Sequence, residues 1–305
     1  MFLKTFYNIK PLIPRRLQLA MRRLRARVKL RTHADVWPID ENAAKPPKDW
    51  PGWPDGKKFA FVLTHDVDTA KGQERCRDLA DLERRLGFVS SYNFVPERYK
   101  VREELRKYLT DNGFEVGVHG LNHDGKYFNS RASFRERALK INRYIRDWGS
   151  IGYRSPSMLH KLAWLHDLDI QYDSSTFDTD PFEPQPDGVG TIFPFWVPSG
   201  NGTSGYMEIP YTLPQDFTLF ILMKQNNIDI WKRKLDWIAS KGGMALVLTH
   251  PDYVDSGSGS YEREEYPMKY YSDLLKYVRE NYHGQYFHAL PKELVKFYKE
   301  NHGNG

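Results

Sequence analysis

The sequence predicts an α/β fold with a parallel sheet, closing as a (β/α) barrel. Three observations carry this. Short apolar runs rich in β-branched and aromatic residues alternate with amphipathic helical stretches from Phe59 to Asn301. The runs end abruptly in polar residues, as FAFVL does at Thr64-His65-Asp66. Those polar residues fall after the strands, on the edge where α/β folds place their sites.

The chain divides into three stretches. Residues 1–31 hold ten Lys or Arg and no acid, so of the net charge of +6 the remainder contributes 6 − 10 = −4. From Pro14, a residue suited to a first helical turn, Leu17, Met21, Leu24 and Val28 form an apolar stripe among arginines. Two readings stand side by side: a basic amphipathic helix on an anionic membrane, or a helix whose stripe packs on the body. Nothing else in the chain points to nucleic acid. Residues 32–57 are a connector rich in Pro and Trp, expected to pack over the body because Trp37, Trp50 and Trp53 are costly to leave in water. Residues 58–305 form the predicted α/β domain.

Within that domain, strands are predicted at 59–64, 89–95, 114–118, 152–155 and 244–248, with a shorter one leading into Asp173. Helices are predicted at 74–86, 102–112, from a capping box at Ser133 and Glu136 to Trp148, and at 162–168, 228–240, 267–282 and 291–301. Residues 178–216 read as an irregular excursion with one or two hairpin strands, and DSGSGS at 255–260 as a flexible loop able to act as a lid. Cys76 is the single cysteine, which rules out an internal disulfide and a Cys-rich zinc site and fits a reducing compartment. No secretory signal pattern and no bilayer-spanning apolar run is visible, so the expected location is cytoplasmic, with peripheral contact at the inner membrane face through the basic arm.

Four predicted strand ends carry polar groups: Asp66 and Asp68, His119 and His123, Asp173, and His250. The i, i+4 spacing of His119 and His123 places both rings on one face of a helical turn. With one carboxylate they make a two-His, one-Asp metal set with open positions. A second carboxylate can serve as base and a separate histidine as acid. Singly, each motif is weak; HxxxH is commonly a surface or core pair, and Asp173 before two serines is a common turn. Their joint placement at strand ends carries the argument.

The order of five motifs resembles the polysaccharide deacetylases of the NodB-homology class, carbohydrate esterase family 4: THDVD (64–68), HGLNH (119–123), RSPS (154–157), YDSS (172–175) and LTH (248–250). The resemblance implies a distorted (β/α) barrel and one divalent metal, zinc first, with cobalt, nickel or manganese as alternatives. It implies Asp66 as base; Asp68, His119 and His123 as metal ligands; Arg154 as the residue orienting the base; the Ser157 N–H as oxyanion donor; Asp173 as the partner of the acid His250; and Leu248 as lining of the acyl-methyl pocket. The chain departs from the family in having Val67 between the two aspartates, His65 before them, and Gly120 after the first histidine. The phrases HDVD and EIPYTLPQDFTLF (208–220) resemble a branch associated with surface-polysaccharide synthesis. The implied partner is an acetylated saccharide or lipid-linked sugar, and the implied reaction is removal of N-acetyl, or else O-acetyl, groups. Hydrolysis of a non-sugar C–N bond, as in a cyclic imide or ureide, uses the same chemistry. A catalytically silent polysaccharide- or lipid-binding relative is the non-enzymatic alternative.

Overall fold

The apolar run from Phe59 to Leu63, continued through Thr64 to Val67, builds the central strand of the molecule, β1 (Phe59–Val67), which is buried along its whole length. The structure, a computed structural model, describes residues 13–200, 204–255, 257 and 264–302. β1 pairs in parallel with β8 (Met244–Thr249) on one edge. On its other edge it pairs with β9 (Tyr286–His288) at its start and β2 (Ser91–Phe94) at its end. From β2 the sheet continues in parallel through β3 (Glu115–His119), β4 (Gly152–Arg154), β5 (Tyr172–Asp173) and β7 (Gly205–Glu208). β6 (Phe195–Pro198) adds to β7 in antiparallel sense, giving the hairpin expected within 178–216.

The sheet curls until its two ends meet. Thr212 and Leu213, just beyond β7, donate backbone bonds of 3.2 and 3.1 Å to the Leu246 carbonyl of β8. The result is the expected distorted (β/α) barrel, closed at this seam by an irregular segment instead of a full strand ladder. Period-2 alternation sorts the side chains of β1 and β8. Ala60, Val62, Leu246 and Leu248 fill the barrel interior, whereas Phe59, Phe61, Leu63 and Val247 pack outward. The outer layer is made by helices α2 (Ala70–Leu86), α3 (Glu103–Asp111), α4 (Arg131–Trp148), α6 (Asp229–Lys241) and α7 (Met268–Asn281), with the short α5 (Leu162–Leu165) and the C-terminal α8 (Pro291–His302).

Two helix starts differ from expectation. α4 opens three residues earlier, at the N-cap Ser130, whose hydroxyl accepts from the Ser133 N–H at 3.2 Å. Ser133 and Glu136 therefore do not form the capping box. α2 also starts earlier, because Thr69 caps it directly after the β1 motif. Cys76 is buried on α2.

The N-terminal α1 (Arg15–Thr32) lies on the body. Leu19 and Ala26 enter the main core, and the Arg23 Nε donates to the Ile221 carbonyl at 3.1 Å. In the connector, Trp37 and Trp53 are buried as expected; the Trp53 indole donates to the Gly242 carbonyl at 2.8 Å. Residues 256 and 258–260 of the loop considered as a lid lie outside the described residues.

Candidate metal centre and catalytic cleft

The i, i+2 spacing of Asp66 and Asp68 projects both carboxylates to the same side of β1, with Val67 turned into the outer core. His65 turns outward too. Its Nδ1 lies 2.7 Å from the Thr249 hydroxyl and its Nε2 2.7 Å from Glu83 Oε1, so it takes no part in the site.

His119 ends β3 and faces Asp66 and Asp68 across the barrel mouth. Its Nδ1 stands 3.1 Å from the Arg154 carbonyl. A carbonyl only accepts, so Nδ1 donates to it and the ring is oriented with Nε2 toward the two aspartates. His123 does not follow on a helical turn, as its spacing suggested. The segment after His119 is a loop in which Gly120 (φ 65°) and His123 (φ 52°) take left-handed backbone. A Cβ at residue 120 would come within 2.5 Å of Pro156 and 2.7 Å of the Tyr127 hydroxyl, so only glycine fits. The Tyr127 hydroxyl accepts from the Leu121 and Asn122 N–H groups and pins this loop.

The outcome is a convergent triad. Asp68 Oδ1 lies 3.4 Å from His119 Nε2 and 3.2 Å from His123 Nε2, and the three ligand atoms lie within 4.8 Å of one another. Asp68 Oδ1 is buried without a hydrogen-bond donor among the described residues. Burial acts to raise the Asp68 pKa, but His123 and His119 outweigh it and hold the carboxyl well below its usual range. An ionised, unsatisfied oxygen between two imidazole nitrogens is what a divalent cation requires, so the residues fit the metal that the sequence implies.

Asp66 sits beside this triad, its Oδ2 3.6 Å from His119 Nε2. Its Oδ1 accepts from Asn93 Nδ2 and from Arg154 Nη1, each at 3.1 Å. Arg154 is itself wholly buried and locked, donating to the Thr64 hydroxyl (2.9 Å), the Ser174 carbonyl (2.7 Å) and the Ser174 hydroxyl (2.6 Å). Burial works against ionisation of Asp66, yet His119, Arg154 and His250 keep its pKa below the ordinary value.

His250 follows β8. The partner of its Nδ1 is Asp216, at 2.7 Å, and not Asp173. Asp216 also accepts from the His250 N–H at 2.7 Å and from the Tyr266 hydroxyl at 3.0 Å. It precedes a π-helical turn, Phe217–Leu222, in a stretch without sequence periodicity. Burial alone would lower the His250 pKa; Asp216 reverses this and raises it to about 10. Asp173 instead caps its own turn, accepting from the Ser175 N–H (3.0 Å) and hydroxyl (2.7 Å), with Glu208 as its cross-strand neighbour. The common-turn reading of YDSS describes it.

Ser157 lines the cleft with φ 57°, and Met158 follows at 51°; two successive non-glycine residues in left-handed backbone mark a strained turn. Leu248 is buried in the barrel interior with Val62 and Met158, and it is Met158 that reaches the cleft lining. Asp252, a residue without a predicted role, accepts from the Asp68 N–H at 2.9 Å and from the Thr69 hydroxyl, fixing the end of β1. Its closeness demands Gly72, where a Cβ would lie 2.2 Å from the carboxylate.

Asp66, Asp68, His119, His123, Ser157 and His250 line a cleft of about 700 Å³. Its rim is completed by α1, which contributes Arg15, Arg22, Arg25 and Lys29.

No protein-family model matches this chain, and no curated protein sequence matches it either. Solved structures do resemble it. PuuE allantoinase superposes with a TM-score of 0.66 at 14% identity, covering 87% of this chain and 99% of that one. A probable polysaccharide deacetylase from Pseudomonas aeruginosa PAO1 gives 0.65 at 15%, with the same coverage. A protein from Mycobacterium smegmatis, provisionally assigned as a polysaccharide deacetylase, gives 0.64 at 16%, covering 81% of this chain and 92% of its own. The fold is thus the NodB-like one that polysaccharide deacetylases and an allantoinase share. Identities this low establish common architecture and leave the substrate to be argued from the site.

Proposed function

We propose that the protein is a metal-dependent amide hydrolase that removes N-acetyl groups from a saccharide. The observation that carries this reading is the juxtaposition of the Asp68–His119–His123 triad with a separate buried carboxylate, Asp66, in one cleft with His250. A divalent ion held by the triad, zinc most readily, would acidify a water and polarise the acyl carbonyl. Asp66, ionised and held by Arg154 and Asn93, takes the proton of the attacking water. His250, kept protonated by Asp216, delivers a proton to the departing amine. The strained Ser157 turn offers its N–H to the developing oxyanion. Cleft volume favours a sugar over a small cyclic ureide, since about 700 Å³ accommodates more than one ring.

The first test is metal content by elemental analysis. About one divalent ion per chain is expected in the wild type and loss of it in His123→Ala, whose ring closes the triad. Release of acetate from N-acetylated oligosaccharides, measured beside allantoin hydrolysis, then separates the two substrate classes. A well-folded wild type that takes up no zinc overturns the reading.

Asp216 gives a pH-dependent test. The acid must be protonated, and the Asp216 charge keeps its proton on to higher pH. Asp216→Asn removes that charge. The alkaline limb of kcat/KM against pH is expected to move downward by about 1–3 pH units, with the acidic limb little changed. An unmoved alkaline limb means His250 is not the acid.

A further inference from the structure

Among the described residues six large apolar side chains are exposed, and five of them lie on α1: Leu17, Met21, Leu24, Val28 and Leu30. Leu24 is 63% and Val28 55% exposed, although the helix is firmly seated by its opposite face through Leu19 and Ala26. The two sequence-based readings of this helix therefore apply to different faces. The body takes Leu19 and Ala26. Leu17, Leu24 and Val28 point away from it, and Met21 continues the stripe to the edge of the cleft.

Charge surrounds that stripe. Helical spacing puts Arg16, Arg27 and Arg31 along one flank and Arg22, Arg25 and Lys29 along the other. The second flank is also a wall of the catalytic cleft. Arg22 lies over the Phe217 ring at 4.4 Å, and Lys29 donates to the Pro181 carbonyl, so this wall is anchored. The helix contains no acidic residue. It is not long and apolar enough to cross a membrane. An apolar strip between two cationic rows is the pattern of a helix lying in the plane of an anionic lipid surface.

We propose that α1 seats the protein on an anionic bilayer, with the apolar stripe in the headgroup–acyl boundary and the mouth of the catalytic cleft at the lipid surface. Two features favour lipid over a second copy of the chain. The stripe is one helix wide, and its flanks are cationic on both sides, so two copies face to face would bring arginine rows together. One consequence rests on the deacetylase reading above. The substrate is then an acetylated sugar carried on a lipid phosphate, whose charge meets Arg22, Arg25 and Lys29 as the sugar enters the cleft.

The test is co-sedimentation of the full chain with vesicles of phosphatidylcholine alone or with about one-third phosphatidylglycerol, at low and high salt. Binding is expected to the anionic vesicles only and to weaken with salt. Leu24→Asp/Val28→Asp, at two exposed positions outside the cleft, is expected to lose at least about tenfold in binding while its circular dichroism and melting stay unchanged. Equal binding by this variant overturns the proposal, as does a wild type that stays in the supernatant at low salt. A wild-type dimer that the double variant dissociates, without vesicle binding, assigns the stripe to self-association and also overturns it. These outcomes need no catalytic activity, so they stand apart from the hydrolase reading. The substrate consequence is read by comparing acetate release from a vesicle-borne lipid-phosphate sugar with that from its water-soluble analogue. A wild-type preference for the former that the double variant loses supports it, and equal rates overturn it.

Discussion

Asp66→Asn is expected to keep the metal and the fold but to lower kcat by about 10³-fold. The side-chain oxygen of asparagine still accepts from Arg154 Nη1 and Asn93 Nδ2, the two donors that hold Asp66 Oδ1 at 3.1 Å each. The triad is formed by Asp68, His119 and His123 without it. What the amide lacks is a basic site for the proton of the attacking water. The loss should therefore fall on turnover, with substrate affinity nearly unchanged. Removing the Asp66 charge also leaves the wholly buried Arg154 without its carboxylate, so some loss of melting temperature is expected and must be measured beside the rate. Acetate release, elemental analysis and thermal denaturation on the same preparation separate the three effects. Near-normal turnover in a metal-replete variant would remove Asp66 from the role of base. Loss of metal together with turnover would mean that Asp66 belongs to the ligand set, which its 3.6 Å approach to His119 makes the pertinent control.

Much of this site is legible in the sequence for one reason. Parallel strands buried on both faces must be apolar, so the point where polarity begins marks the sheet edge. THDVD, HGLNH and LTH all announce themselves in this way, and the structure brings Asp66, Asp68, His119, His123 and His250 to one cleft. The barrel is legible for the same reason. What is missed lies where periodicity gives no signal. Asp216 stands between an irregular segment and a π-helical turn, so neither a 2.0 nor a 3.6 period points to it. Its position two residues after Pro214, in a phrase already singled out by resemblance, is the only local hint. Asp173 drew attention because it ends a strand, but its carboxylate is consumed by Ser175 next door. The HxxxH spacing suggests a helical turn, whereas Gly120 and His123 bend a loop to the same effect. The two faces of α1 could not be assigned without knowing which side the body occupies. The stripe at Leu17 and Leu24 is the more conspicuous in sequence, yet the sparser Leu19–Ala26 face is the one that packs.

The departure of this chain from the common first motif leads to the second large effect. Glu83→Leu is expected to destabilise the fold by about 3–5 kcal/mol. Four donors converge on this one fully buried carboxylate. Glu83 Oε1 takes His65 Nε2 at 2.7 Å and the Tyr271 hydroxyl, and Oε2 takes the Ser90 hydroxyl at 2.7 Å and the Tyr92 hydroxyl at 3.2 Å. The cluster ties α2 and α7 to β1 and β2. Leucine fills the volume but strands every one of those donors in the outer core, each at a cost of about 1–3 kcal/mol that partial rearrangement only reduces. Glutamine keeps two acceptor lone pairs and should cost less. For a chain of this size the leucine variant should melt about 10 °C lower. Its turnover per folded molecule should remain near that of the wild type, because His65 faces away from Asp66 and Asp68 on β1. Thermal denaturation with acetate release normalised to bound metal tests both halves. A variant that melts normally yet loses turnover would show that His65 communicates with the cleft, and the histidine of HDVD would then belong to the catalytic apparatus instead of the scaffold beneath it.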